Sequence, residues 1–290
     1  MGIIEKLLSG YPQGDVVPQD FIDHLTIGAP GWVGAWVAIG LAVVFGLLVY
    51  IIPIVITERD KVGPYPLWLH TFYLAADFMG IWVFLDAWLK YNHFLLFLLL
   101  AIGEAIWCCM EVFCLQRACT YEKDINFKPG TTTKGMLKII AIQVILFYVG
   151  LNFLRFELHD STMWKFWIFT QVLITTVPGL VMEARGTRKG YSLWLHIVLI
   201  CVAVVSFNPW CNMWVAISPD FFSLEANPWY YLMGVLCLGF AIRGLVQYLK
   251  LPEKHEQDFF QYRQKAGSGG RKHHRQLELR KSRYGYPDRG

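Results

Sequence analysis

The sequence predicts an all-α polytopic membrane protein, a bundle of seven transmembrane helices. Three observations carry this reading: an apolar composition, seven long apolar runs, and lopsided basic charge. Of 290 residues, 55% are hydrophobic and only 17% are charged, against about 25% charged in soluble domains. Mean hydropathy is +0.39. This argues against a soluble enzyme and excludes a disordered chain.

The elements follow in order. Residues 1–31 form an extracytoplasmic N-terminal segment. Its start, MGIIEKLLSG, lacks the basic region and long apolar core of a secretory signal. Lys6 stands where myristoylation expects Ser or Thr. Ile3, Ile4, Leu7 and Leu8 fit one side of a short interfacial helix. A membrane-crossing helix needs about 20 mostly apolar residues. Seven runs qualify: 32–56, 66–89, 94–116, 136–156, 163–182, 191–214 and 228–249. The first is the plainest; the second and third carry carboxylates. Together, residues 32–250 make the membrane domain. Residues 251–290 form a polar, Gly-rich, basic tail, expected to be disordered and to contact anionic lipid. No motif points to nucleic acid.

Charge sets the expected orientation. Counted on alternate sides of the seven runs, 20 Lys and Arg fall on one side and 4 on the other. The heavy side includes the stretch from Lys250, with 11 of the 26 basic residues. The N-terminus is therefore expected outside and the C-terminus in the cytoplasm.

Ionisable groups at membrane depth are costly and point to function. On the second run, His70, Tyr73 and Asp77 share one helical face. Asp77 is near mid-membrane. Glu104 and Glu111 share a face of the third run, with Trp107 and Cys108 between them. Arg243 on the seventh run is expected at the depth of Glu111. Gln143, Thr175, Thr176 and Ser206 read as interhelical glue. For the carboxylates glue is a weaker account, because Arg243 neutralises only one or two of them. A carboxyl removed from water tends to keep its proton and can then serve as a general acid. Trp32, Trp88, Tyr91, Trp164, Trp229 and Tyr230 read as interface anchors. Trp82, Trp107, Trp167 and Trp194 lie deeper, as core or as the wall of a pocket whose ring faces stabilise a cation. Cys108, Cys109, Cys114 and Cys119 lack the spacing of a metal site, so no metal is expected. No nucleotide loop or other cofactor motif is present.

From Gln171 onward the chain resembles the small integral-membrane terpene cyclases of fungal indole-diterpene (paxilline-type) and meroterpenoid pathways and their bacterial relatives. The shared features are Gln171, Pro178-Gly179-Leu180, and the turn Arg185-Gly186-Thr187-Arg188-Lys189-Gly190-Tyr191-Ser192 leading into Leu193-Trp194-Leu195. An aromatic and proline segment over 207–222 follows, then Asn227-Pro228 and a last helix ending in Tyr248-Leu249-Lys250. Gly31-Trp32-Val33 and Pro66-Leu67 add to the likeness near the start. About 80 residues carry it. The resemblance implies a seven-helix bundle with an intramembrane cavity, where an acid protonates the epoxide or alkene of a prenyl chain without metal or cofactor, a lyase or isomerase type of reaction. The family carries a Glu in an Asn-x-x-Trp-Glu pattern on its second helix and an Asp on its last. Here the first reads Tyr73-Leu74-Ala75-Ala76-Asp77 and the second Gly239-Phe240-Ala241-Ile242-Arg243. The implied catalytic set is Asp77 with Glu104 or Glu111, and the implied substrate contacts are Tyr73, Trp107, Trp194 and Arg243. Two other readings remain beside it: a small-molecule or proton-coupled transporter, and a non-catalytic accessory subunit. A third assigns His70 and His196 as haem ligands.

Overall fold

The computed structural model describes residues 16–254. The expected interfacial helix over residues 3–8 lies outside them, as does the tail beyond residue 254. Eleven helices occur among the described residues: α1 Pro18–Leu25, α2 Trp32–Asp60, α3 Leu67–Lys90, α4 Leu95–Tyr121, α5 Lys123–Asn126, α6 Thr133–Glu157, α7 Phe166–Arg185, α8 Leu193–Phe207, α9 Met213–Ile217, α10 Pro219–Phe222 and α11 Pro228–Lys250. No strand occurs among them.

Six helices, α2, α3, α4, α6, α7 and α11, are long and apolar enough to cross a membrane. The chain is a polytopic helical bundle. Six of the seven predicted spans are long helices; the sixth run does not reach that length, so the count of seven is not confirmed. The run over 191–214 yields only the 15-residue α8, about 22 Å long at 1.5 Å per residue, against a hydrocarbon core of about 30 Å. The reason is local: Asn208 is the C-cap of α8 and bonds the backbone of the turn that follows, and Asn212 caps the start of α9. Asn208 Oδ1 accepts from Cys211 N at 2.6 Å, and Asn212 Oδ1 accepts from Val215 N at 2.8 Å. The bundle also exposes its large apolar side chains. On α6, Ile145, Leu146, Val149, Phe153 and Phe156 all face outward. Water tolerates such a surface poorly, whereas lipid does not penalise it.

α3 and α4 form an antiparallel hairpin with an extensive interface, and α6 covers the outer side of α3. α11 packs on α7 and α8, and α8 packs on α2. α7 and α11 approach closely where Gly179 meets Gly244. A Cβ on Gly179 would lie 3.1 Å from the Gly244 Cα. α2 meets α4 only along a thin seam, with Gly46 against Trp107.

Loops knit the two ends. At the end rich in Lys and Arg, the Arg185–Ser192 turn is tied down throughout. Arg185 Nη1 donates to Gly63 O at 2.6 Å, Gly190 N donates to Asp60 Oδ2 at 2.9 Å, and Tyr191 Oη donates to Pro64 O at 3.1 Å. Gly190 adopts φ +85°, and a Cβ there would lie 3.0 Å from Val62 O. Both facts demand glycine. At the opposite end α1 closes the bundle, with Phe21 edge-on to Trp164 at 4.8 Å. The N-terminal segment is therefore structured and packed from Val16 onward.

Proline shapes α2. Pro53 lies inside it and has no N–H to give to the carbonyl of Val49, four residues earlier. Tyr65 Oη supplies the missing donor at 2.8 Å.

Candidate functional site

A cavity of about 120 Å³ lies between α2, α3, α4, α7 and α8, closed at one end by Trp164 and α9. One enclosed water needs roughly 10–15 Å³ on this scale, so there is room for an extended molecule. Its wall on α4 runs from Leu96 to Glu111, about 22 Å along the helix. The site is thus an elongated slot. Most of the wall is aliphatic or aromatic, including Tyr50, Tyr73, Trp107, Trp164, Trp167 and Trp214. The ionisable carboxyls on it are Asp77, Glu104 and Glu111.

The α3–α4 hairpin brings the acids together. Asp77 lies about 15 Å into α3, counting from Leu67. Gly80, one turn further, leaves the space that Glu104 fills. A Cβ on Gly80 would stand 2.8 Å from both Cγ and Cδ of Glu104. Glu104 therefore rests directly on α3 and shares the cavity wall with Asp77 and Glu111. Glu111 meets His70, whose Nδ1 is 2.7 Å from Glu111 Oε2. Tyr50 of α2 lines the same cavity as Glu111 and Asp77. Tyr73 Oη donates to Thr170 O at 2.7 Å and holds α3 against α7.

Asp77 Oδ2 and both Glu104 oxygens are buried and hydrogen-bond to no protein atom. Glu104 is 1% exposed. An ionised carboxylate without a partner in apolar surroundings is very costly. The pair must therefore be neutralised by a proton or by a ligand. Such a pair can give a proton to a bound molecule or face a cation formed on it.

The structure brings five sequence-predicted site residues onto this cavity: Tyr73, Asp77, Glu104, Trp107 and Glu111. It places the other two elsewhere, which corrects their expected roles. Arg243 pairs with Glu183 at 2.6 Å, with its side chain 43% exposed. α11 turns Gly234, Cys237, Ala241 and Gly244 inward, and that face leaves Arg243 outside. Arg243 therefore balances Glu183 and none of the deep acids. Trp194 is 68% exposed, because α8 buries the next residues, Leu195 and His196. Neither His70 nor His196 lines the cavity. His196 packs between the rings of Tyr191 and Tyr248, at 6.1 and 5.1 Å.

Other expectations sort similarly. Gln143 bridges helices as glue, accepting from Thr71 Oγ1 at 3.1 Å, and Ser206 reaches Gln171 at 3.4 Å. Thr175 and Thr176 bond back to their own helix. Trp164 and Tyr230 are core residues, not interface anchors, while Trp82 faces outward. All seven cysteines are free, and no group of metal-binding side chains is found among the described residues.

Sequence reasoning passed over Tyr50 and Trp214, and read Trp164 as an interface anchor and not as part of the closing pair. Tyr50 had a signal: it is a hydroxyl within the most apolar run. The Trp pair had none, since Trp214 Nε1 bonds Trp164 O across 50 residues, at 2.9 Å. Comparison with family models, with curated proteins and with solved structures finds no match to this chain.

Proposed function

We propose that the chain is a membrane-embedded terpene cyclase-like enzyme that protonates a prenyl chain held in the slot. One observation carries the reading: two buried carboxyls, of which Asp77 Oδ2 and both Glu104 oxygens meet no hydrogen-bond donor, at the side of an aromatic-walled cavity. The chemistry follows from that setting. The pair shares at least one proton, since two bare charges side by side without a cation are too costly. A neutral carboxylic acid gives that proton to an alkene or epoxide of the bound chain. The face of Trp107 or Trp167 stabilises the cation that forms. The carboxylate left behind takes a proton from the cyclised cation, so the pair ends as it began. The resemblance from Gln171 onward supports the substrate class. The Arg185–Ser192 turn, which carries much of it, works here as a structural tie.

The test is an activity assay on membranes expressing the chain, with plain and epoxidised prenyl compounds, read by mass spectrometry and NMR. The expected result is a cyclised product, abolished by Asp77→Asn or Glu104→Gln. Absence of any product from folded protein, with flux driven by a pH gradient in vesicles, replaces this reading with the transporter.

A further inference from the structure

The cavity acids have a continuation that the cyclisation scheme does not use. Glu111 stands on α4 two turns beyond Glu104, toward the Lys- and Arg-rich end. Its Oε2 is 2.7 Å from His70 Nδ1. His70 is in the first turn of α3 and is buried, with 6% of it exposed. Tyr50, Asp77 and Glu111 line the same cavity. At the same end lies Glu122, in the turn after α4. Glu122 accepts from Gly63 N at 2.7 Å and pairs with Arg185 at 3.3 Å. The Tyr65 ring stands 5.7 Å from that of His70, centre to centre.

We propose that His70, Glu111 and Tyr50 form a proton relay between water at the Lys- and Arg-rich end and the buried Asp77–Glu104 pair. Three observations point the same way. The groups are ordered along the bundle axis. The His70–Glu111 contact is short enough for direct transfer. The far end holds enclosed carboxyl oxygens with no protein partner. The steps balance. A proton arrives on His70 Nε2 as the Nδ1 proton passes to Glu111. Glu111 gives its proton to the Tyr50 oxygen, and the Tyr50 hydroxyl proton passes to Asp77. One passage leaves His70 as the Nε2–H tautomer and the Tyr50 O–H turned toward Glu111; the imidazole ring and the hydroxyl must both rotate back before the next proton moves. The reverse sequence drains a proton from the cavity. The relay uses the same site as the proposed cyclase but needs no particular substrate.

The experiment uses the full chain reconstituted in lipid vesicles and transferred into D2O. Infrared spectroscopy follows the C=O band of the protonated buried carboxyls as it shifts on deuteration. Asp77→Asn and Glu104→Gln assign the band. Circular dichroism checks that each variant is folded. His70→Gln is expected to slow deuteration at least about tenfold, the low end of what a positioned proton-transfer group contributes. Added imidazole is expected to restore part of the rate in His70→Ala. Tyr50→Phe, which removes one oxygen and keeps the ring, is expected to slow it similarly. It stands in if the His70 variants do not fold. An unchanged rate in folded His70→Gln, or in Tyr50→Phe, overturns the relay. The assay contains no prenyl compound, so its failure is distinct from failure of the cyclase reading.

Discussion

Replacing Gly80 by alanine probes the packing that holds Glu104 beside Asp77. The new Cβ would stand 2.8 Å from Glu104 Cγ and Cδ, where ordinary contacts run 3.4–4 Å. Glu104 must retreat by roughly 0.6 Å or more, or α3 and α4 must part. Overpacking of this kind costs about 1–3 kcal/mol. Alanine in place of glycine returns about 1 kcal/mol of helix propensity. The expected net is a loss of about 0–2 kcal/mol. Glu104→Ala removes the obstructing atoms. In that background Gly80→Ala should stabilise by up to about 1 kcal/mol. The two changes are therefore coupled by about 1–3 kcal/mol, within the range seen for touching residues. The assay is equilibrium unfolding in detergent micelles of the wild type, both single variants and the double variant. Equal effects of Gly80→Ala in the two backgrounds would refute the contact and, with it, the account of how Glu104 is held.

Other predictions follow from single contacts. Tyr65→Phe strands the Val49 carbonyl that Pro53 leaves without a donor. It should cost about 1–3 kcal/mol in the same unfolding assay, the penalty of a buried unsatisfied acceptor. Gly234→Ala puts a Cβ 2.3 Å from the Phe207 Cβ. It should exceed Gly80→Ala in cost, because a Cβ cannot swing aside as a carboxyl can. Burial pushes the Glu122 carboxyl up, against its Gly63, Arg185 and His70 partners. The folded chain thus holds this proton more tightly than the unfolded chain. The stability it contributes is complete below about pH 4.3, the ordinary Glu value, and is lost as pH rises through the folded value. Unfolding scanned upward from about pH 4 should show wild type losing stability relative to Glu122→Gln. A constant difference would contradict it.

Helix identity was legible wherever an apolar run had a clean stop. α3 ends within a residue or two of its predicted bounds, since Pro66 and Tyr91 flank it. α2 and α4 run past theirs into charged turns, 32–60 and 95–121, because hydropathy marks the lipid depth and not the helix end. α8 fell short because Asn208 and Asn212 cap a turn inside an apolar stretch. Helical spacing alone grouped His70, Tyr73 and Asp77 on one face, and Glu104 with Glu111 on another. It did not show that these two faces meet, since pairing across helices leaves no periodic trace. Arg243 illustrates the same limit. Depth suggested the deep acids as its partners, but the inward face of α11 was already taken by Gly234, Ala241 and Gly244. The local signal for Glu104 was Gly80, whose role appears only when the hairpin is closed.

The most direct test of the central claim is cyclisation in D2O by the purified chain, acting on the compound turned over in membranes. With an alkene substrate and protein already exchanged into D2O, the product of the first turnover should carry one deuterium at the carbon that accepts the initiating proton. Asp77→Asn and Glu104→Gln should abolish it while the protein stays folded. Product formed at the wild-type rate by both variants would contradict the assignment of Asp77 and Glu104 as the acid.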